Sequence, residues 1–489
     1  MTGTSPALPI SLDPTIVGPV YQQIAARLRA AIASGMLAPG GRLPASRVFA
    51  TQLGVARGTV ETAYGMLAGE GLILTRGPAG TLVSPALAGR ATTLMRPDAV
   101  VRSAALPGFE PPRPLRLGLP ALDAFPRTLW SRLAVREARA VRVDDLAYPD
   151  PSGHPALRDE IATYLGLSRG IVCDPAQVLV TGGYQGALTL ITRALLLAGD
   201  RVWVEDPGYH MTRDGLRDAR ARLVPVPVDA NGLCVAKGVR AAPMARLAVV
   251  TPTHQSPLGV ALSLSRRLAL LAWAAERDAW IVEDDYDGEF HYAGHPLPAL
   301  KSLDRSERVI YAGSFSKVLF PGLRLGYLVV PTGLAGRFTA ASHTLQAGQA
   351  ELGQRTVAAF MREGHFARHL RRMRALYAKR RTALAAALTE AFGDAVAITL
   401  QSGGMHLLAR FGLGVSDTEL AARAARAGLA PTPLSQLYLR QRGDQGLLLS
   451  FTNVAEDEAV PLARQLAVAL RGQGRWLEPR GRRTQRPAL

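Results

Sequence analysis

Ser314-Phe315-Ser316-Lys317-Val318-Leu319-Phe320-Pro321-Gly322-Leu323-Arg324-Leu325-Gly326-Tyr327 is the stretch on which the fold turns. Apolar Val309, Ile310 and Tyr311 run into Gly313 and then into a small-polar turn that carries one lysine. An arginine follows one short loop later, and residues 325–330 read as a further apolar strand. A lysine that condenses with an aldehyde must shed its proton readily and sit beside fixed anion-binding groups. Ser314, Ser316 and Arg324 suit an anion, because hydroxyls donate and a guanidinium binds phosphate bidentately. S-x-S-K alone is a weak signal, since a loop lysine is usually a solvated one. The string with P-G-L-R-x-G-Y behind it is far more specific.

Outward from this stretch, residues 113–470 alternate helices and apolar strands, the pattern of a mostly parallel sheet with helices on its faces. Val178, Leu179 and Val180 form a buried strand. Thr181-Gly182-Gly183-Tyr184-Gln185-Gly186 breaks from it into a helix expected to start near Ala187. Such a turn offers free backbone N–H groups to a phosphate. Residues 202–209 end in Tyr209, an aromatic turn. Residues 249–259 end in a polar turn holding His254, Gln255 and Ser256. Residues 281–290 end in an acid cluster with Asp284 and Tyr286. Carboxylates on a loop suit a hard cation, but regular calcium-loop spacing and a G-x-x-x-x-G-K-S loop are both missing. A strand-end carboxylate can instead pair with a protonated pyridine nitrogen, and a nearby tyrosine can hydrogen-bond a ring phenolate oxygen. The turns fall in order at strand ends, where open α/β sheets bind ligands.

The N-terminal region reads differently. Ile24, Leu28 and Ile32 recur at helical spacing in residues 20–34, and Gly35 stops the run. A turn-rich connector leads to Ser46, read as the cap of a short helix ending at Gly54. Val55 and Ala56 then turn into a third helix, residues 57–70. Two short helices joined by a glycine-containing turn form a helix-turn-helix, whose second member presents Arg57, Gly58 and Thr59 to base edges and phosphates. Residues 72–83 read as a hairpin wing, with Arg76 set to touch phosphate or the minor groove.

Length and charge fit this division. A chain of 489 residues exceeds one ordinary core. Its formal charge of +18 favours an acidic partner, nucleic acid first. Cys173 and Cys234 offer neither metal spacing nor a disulfide framework, which suits a reducing cytoplasm. The first residues lack the charged and apolar regions of a signal peptide. No apolar run approaches the roughly 20 residues needed to span a bilayer. Residues 86–112 read as a linker and 471–489 as a basic disordered tail, leaving domains at 1–85 and 113–470.

Two resemblances join these readings. L-x-P-G-x-R-L-P-x-S-R, then L-G-V-x-R-x-T-V-x-x-A-Y and E-G-L, resembles the GntR-type winged helix. It departs at Ala45, where a small hydroxyl residue is usual, and at Ala56, where serine is common. The resemblance makes Arg42, Ser46, Arg47, Arg57, Thr59 and Tyr64 the contacts or contact-shaping residues on DNA. Residues 113–470 resemble fold-type I pyridoxal-phosphate (PLP) enzymes of the aminotransferase kind, with large and small subdomains. The resemblance implies Lys317 as the Schiff-base residue, Asp284 as partner of the pyridine nitrogen, Tyr286 facing the phenolate oxygen and Tyr209 at the ring-stacking position. Gly183, Tyr184, Ser314, Ser316 and Arg324 match the phosphate cup. Ser256 stands where asparagine is common. Tyr148 matches the tyrosine that reaches the neighbouring subunit's phosphate, which implies a homodimer.

The joined layout is similar to the MocR family of bacterial regulators, which includes a subgroup controlling vitamin B6 synthesis. The expectation is a PLP-dependent transcriptional regulator that binds a promoter operator and senses PLP or its adduct with an amine or amino acid. The alternative is an active aminotransferase carrying a DNA-binding appendage. One departure bears on the choice. The last small-subdomain strand, residues 447–452, lacks the arginine that binds a substrate α-carboxylate, and Leu448 stands near its place. Arg440 and Arg442 are close in sequence. Transamination is therefore expected to be weak or to stop at a half-reaction.

Overall fold

The computed structural model describes residues 10–13, 18–77, 80–88, 112–293, 298–346, 348–412, 414–439 and 443–471. Most of the expected linker, the expected tail beyond Arg471, Arg440 and Arg442 lie outside these residues. The chain divides into two compact units, Met1–Glu110 and Pro111–Leu489.

In the first unit, α1 is Val20–Ala33, α2 is Ser46–Leu53 and α3 is Arg57–Gly69. Ile24, Leu28 and Ile32 line one face of α1 and pack on Phe49, Val60 and Leu67. Gly54 takes a left-handed conformation (φ 68°) that closes α2, which suits a residue without a Cβ. β1 (Arg42–Leu43), β2 (Ile73–Thr75) and β3 (Thr81–Val83) form an antiparallel sheet in the order β1-β3-β2. The connector before α2 was expected to be turn alone. Instead the Val83 N–H donates to the Gly41 carbonyl at 2.8 Å and draws Arg42 and Leu43 into the sheet. Ser46 is not the cap: it is the first helical residue, Ala45 holds the cap position, and the Ser46 hydroxyl donates to Glu61 at 3.2 Å.

The second unit is built on an eight-stranded sheet. Its strands are β4 (Val178–Thr181), β5 (Arg201–Asp206), β6 (Arg222–Asp229), β7 (Gly232–Leu233), β8 (Leu247–Val250), β9 (Trp280–Asp285), β10 (Val309–Ser314) and β11 (Gly326–Val329). The order is β4-β11-β10-β9-β8-β5-β6-β7. β5, β6, β8, β9 and β10 are mutually parallel, and β11 runs against both β10 and β4. Both faces are covered, so alternate residues enter different cores. Val202 and Val204 join one cluster with Val282 and Ile310, while Trp203 joins another with Ile281 and Val309. The carboxyl ends of the parallel strands thus meet along one edge.

A four-stranded antiparallel sheet forms the small subdomain. It comprises β12 (Val396–Thr399), β13 (His406–Phe411), β14 (Thr432–Pro433) and β15 (Leu447–Ser450), in the order β12-β13-β15-β14. Leu447 and Leu449 face the main core, and Leu448 joins a separate leucine cluster on the opposite face. Residues 113–121 lie as a strap over the second unit. The Leu115 carbonyl accepts from the Ser450 N–H at 3.1 Å, the Leu119 carbonyl from the Thr452 hydroxyl at 2.5 Å, and the Ala121 N–H donates to the Tyr377 hydroxyl at 2.9 Å. Among the described residues, no helix is long and apolar enough to cross a membrane.

Candidate functional site

Lys317 lies in a one-turn helix, Phe315–Val318, directly after β10. The Ser314 hydroxyl accepts from the Ser316 N–H at 3.1 Å and starts that turn. Lys317 Nζ donates to the Gly118 carbonyl at 3.0 Å. Burial lowers the Lys317 pKa, opposed by the Asp284 and Asp287 carboxylates. A lysine so placed sheds its proton more readily than one in water and is a better nucleophile.

Asp284 is one residue from the end of β9 and pairs in register with Ala312 of β10. It is 7% exposed. Burial, reinforced by Glu205 and Asp287, pushes its pKa up to about 8. The Tyr184 hydroxyl lies near it and meets Thr212 Oγ1 at 2.7 Å. Tyr209 lies 6.1 Å from Tyr184, ring centre to ring centre. Tyr209, Thr212, Arg213, Glu205 and Asp284 line a small cleft. Tyr286 is half-buried, and its buried hydroxyl has no partner within hydrogen-bond geometry, although Ser256 is close enough to act on it.

A candidate anion-binding turn follows β4. The helix after β4, residues Gly183–Leu195, begins four residues earlier than expected. Gly183 and Tyr184 therefore belong to its first turn, where backbone N–H groups have no helical partner. Arg324 spans the same turn: its Nη2 donates to the Gly182 carbonyl at 3.2 Å and to Gln185 Oε1 at 3.4 Å. Together these groups can hold an anion, a planar ring with a cationic nitrogen, and an aldehyde within reach of an amine. Tyr148 is not brought to this site in one chain, where it is 93% exposed.

Several neighbours escaped the sequence reading. Gly118 has φ 79°, and a Cβ there would lie 2.7 Å from Lys317 Nζ. The Gly-Leu-Pro that starts there signals a turn, but nothing in it signals a lysine 199 residues away. Glu205 accepts from the Thr251 hydroxyl at 2.6 Å and from Gln255 Nε2 at 3.1 Å. Burial raises its pKa to about 7. His254 Nδ1 meets Asp287 Oδ1 at 3.0 Å. Strand-end position was the available signal for Glu205, and no motif marked it.

On the winged-helix unit, Arg42, Arg47, Arg57 and Arg76 are exposed, and Ser46 and Thr59 are half-buried. Arg57 Nε pairs with Glu61 at 2.7 Å. An exposed pair of this kind contributes little and is readily exchanged for phosphate. Tyr64 is buried, its hydroxyl donating to the Pro44 carbonyl at 2.8 Å. It shapes the surface before α2 and is not part of it.

These two sites define a winged-helix DNA-binding unit and an aminotransferase-type unit in one chain. Residues 20–83 match the gntR family of bacterial regulatory proteins, and residues 131–444 match the aminotransferase class I and II family. The probable rhizopine catabolism regulatory protein MocR of Rhizobium meliloti is 38% identical over 93% of this chain and 95% of its own. The pyridoxine biosynthesis regulator PdxR of Corynebacterium glutamicum is 35% identical over 92% of this chain and 96% of its own. A kynurenine aminotransferase from Pyrococcus horikoshii superposes with a TM-score of 0.66 at 30% identity, covering 73% of this chain and 90% of that enzyme. The chain belongs to the MocR-type transcriptional regulators, in which a GntR-type winged helix is joined to an aminotransferase-like domain. It is a DNA-binding regulator.

Proposed function

We propose that the aminotransferase-like unit senses pyridoxal 5'-phosphate, or its adduct with an amine or amino acid, and that the winged helix responds at a promoter operator. One observation carries the reading: a half-buried amine, Lys317, shares its surroundings with a buried acid, Asp284, and Asp284 lacks a strong cationic partner. A pyridine nitrogen beside Asp284 would complete that pair. The unpaired Tyr286 hydroxyl suits the ring's phenolate oxygen. Ser314, Ser316, Arg324 and the Gly183–Tyr184 turn suit its phosphate, and Tyr209 suits its ring face. The chemistry of the residues therefore fits the group. When bound, the group supplies an aldehyde that captures primary amines and a ring that withdraws electrons.

The chain's own residues divide the work. Lys317 supplies the amine, Asp284 holds the ring-nitrogen proton, and Arg324 fixes the phosphate. In this reading the molecule is a cytoplasmic homodimer, and Tyr148 reaches the partner subunit's phosphate. Arg42, Arg47, Arg57 and Arg76 contact the operator, with Ser46, Thr59 and Tyr64 shaping that surface. The test is retention of the cofactor through dialysis, borohydride reduction and peptide mapping. A stable label on Lys317, with operator affinity that changes on adding PLP, supports the reading. Label on another lysine, or no retained cofactor, rejects it.

A further inference from the structure

We propose that Glu205 is a positioning residue for the cofactor: it holds the turn that carries Ser256, and its carboxylate strengthens the hold of Asp284 on the ring-nitrogen proton. The inference rests on the reading of this site as a pyridoxal-phosphate site and adds a residue to it.

Glu205 and Asp284 each stand one residue from the end of a strand, on β5 and β9, and β8 lies between those strands. Both are buried and both line the cleft. Glu205 Oε2 accepts from the Thr251 hydroxyl at 2.6 Å and from Gln255 Nε2 at 3.1 Å, and Oε1 accepts from the Thr251 N–H at 3.2 Å. The same two residues build the turn after β8. The Thr251 hydroxyl accepts from the Ser256 N–H at 3.1 Å, and Gln255 Nε2 donates to the Ser256 carbonyl at 2.7 Å. Gln255 Oε1 accepts from the Leu258 N–H at 3.0 Å. Glu205 is thereby tied to Asp284 across the cleft and, through Ser256, to Tyr286.

Burial raises the Glu205 pKa to about 7, opposed by the bonds from Thr251 and Gln255. Burial likewise pushes Asp284 up to about 8, and Glu205 and Asp287 add to that effect while Lys317 and Tyr184 oppose it. Tyr209 and Arg213 face the cleft from the segment after β5. Burial lowers the Arg213 pKa, and the charges acting on it are Arg217, Asp214 and Asp206. Its Nη1 donates to the Leu437 carbonyl at 3.1 Å. Glu205 therefore gains its charge as pH rises through about 7, beside the acid that would hold the ring-nitrogen proton. A second carboxylate near an Asp284–pyridinium pair attracts the ring cation and makes its proton harder to remove.

The test uses the full-length protein, freed of cofactor and titrated with PLP from about pH 6 to about pH 9, a range that brackets the change of charge at Glu205. Binding is read from the visible absorption band and from the thermal midpoint. Glu205→Gln keeps an oxygen for the Thr251 and Gln255 side chains and loses the charge. Near pH 6 wild-type Glu205 is itself protonated, so the two proteins are expected to half-saturate within about twofold of each other. Above about pH 7 the curves are expected to part, with Glu205→Gln about tenfold weaker near pH 9. Thr251→Val keeps the charge but removes a donor that favours it. It is expected to bind PLP more weakly than the wild type at about pH 7.5 and to recover toward about pH 9, which keeps the test open if Glu205→Gln does not fold. A loss in Glu205→Gln that is the same at every pH gives Glu205 a structural role alone and overturns the proposal, as does no loss at any pH. A Thr251→Val curve parallel to the wild type overturns it equally. A wild type that takes up no PLP rejects the cofactor reading itself, which is a separate result.

Discussion

Asp284 keeps its proton to about pH 8 in the folded chain and Glu205 to about pH 7, whereas both would release it near pH 4 when unfolded. Between those limits the folded state binds more protons than the unfolded one, so stability falls as pH rises. Without cofactor, denaturant melts are expected to show this decline from about pH 5, levelling above about pH 8. Asp284→Asn should make the decline shallower. Bound cofactor should do the same, because a cationic ring nitrogen lets Asp284 ionise in place. A slope unchanged by the substitution would remove Asp284 from this role. At Gly118 the constraint is steric. Gly118→Ala places a methyl 2.7 Å from Lys317 Nζ on backbone at φ 79°. It is expected to displace the lysine and weaken cofactor retention in dialysis, and unaltered retention would show that the strap yields freely. The pairing of Gly118 with Lys317 was not legible beforehand, because it depends on a left-handed turn meeting a residue far along the chain. Lys317, Asp284 and Arg324 were legible because each ends or follows an apolar strand and carries a charge with little reason to sit there.

At the scale of elements, α3 and the segment before α2 form one surface through Tyr64. Tyr64→Phe leaves the Pro44 carbonyl without its donor and is expected to destabilise the first unit by about 1 kcal/mol, read from full-chain melts. Arg57→Ala is expected to cost about 1–3 kcal/mol on operator DNA and less on random DNA, if the guanidinium reads a base edge. Equal losses on both would confine Arg57 to phosphate. Arg42→Ala should instead weaken both, with the log–log salt slope shallower by about 0.9. The helices of this unit were legible because Ile24, Leu28 and Ile32 keep a helical period and Gly54 stops α2. β1 was not, since two residues carry no period and the pairing depends on Val83 far along the chain. The early start of the helix at Gly183 was missed for a related reason. Gly-Tyr-Gln-Gly has loop composition, yet its backbone is already helical at the strand end.

For the whole molecule, one chain carries a reader of DNA and an aminotransferase-like unit with Leu448, not an arginine, in its last small-subdomain strand. A transaminase must orient its substrate so that the Cα–H bond stands perpendicular to the ring, and that orientation supplies several kcal/mol of a barrier. Leu448 neither pairs with nor orients a carboxylate. Steady-state assays with common amino donors and 2-oxo acids are therefore expected to fall well below about 1 per second. A turnover number in the ordinary enzyme range would restore the alternative of an enzyme with a DNA-binding appendage. The missing arginine was visible in the sequence. So was Leu448 near its place; its packing was not, because Leu408, Leu434 and Leu437 gather around it only once the small sheet has formed.

The strap at residues 113–121 begins three residues beyond the division at Glu110–Pro111, where the polypeptide arriving from the first unit enters the second. Its fastenings at Leu115, Leu119 and Ala121 end on a backbone amide, a threonine hydroxyl and a tyrosine hydroxyl. None of these is spent by amine chemistry. The fastening at Gly118 ends on the lysine ammonium. Any reaction that ties up the Lys317 nitrogen unbuttons the strap at one point and leaves the other points fastened. Loss of that bond is expected to leave slack in residues 113–121. Amide hydrogen exchange across 113–121, compared with and without cofactor, would measure that slack directly.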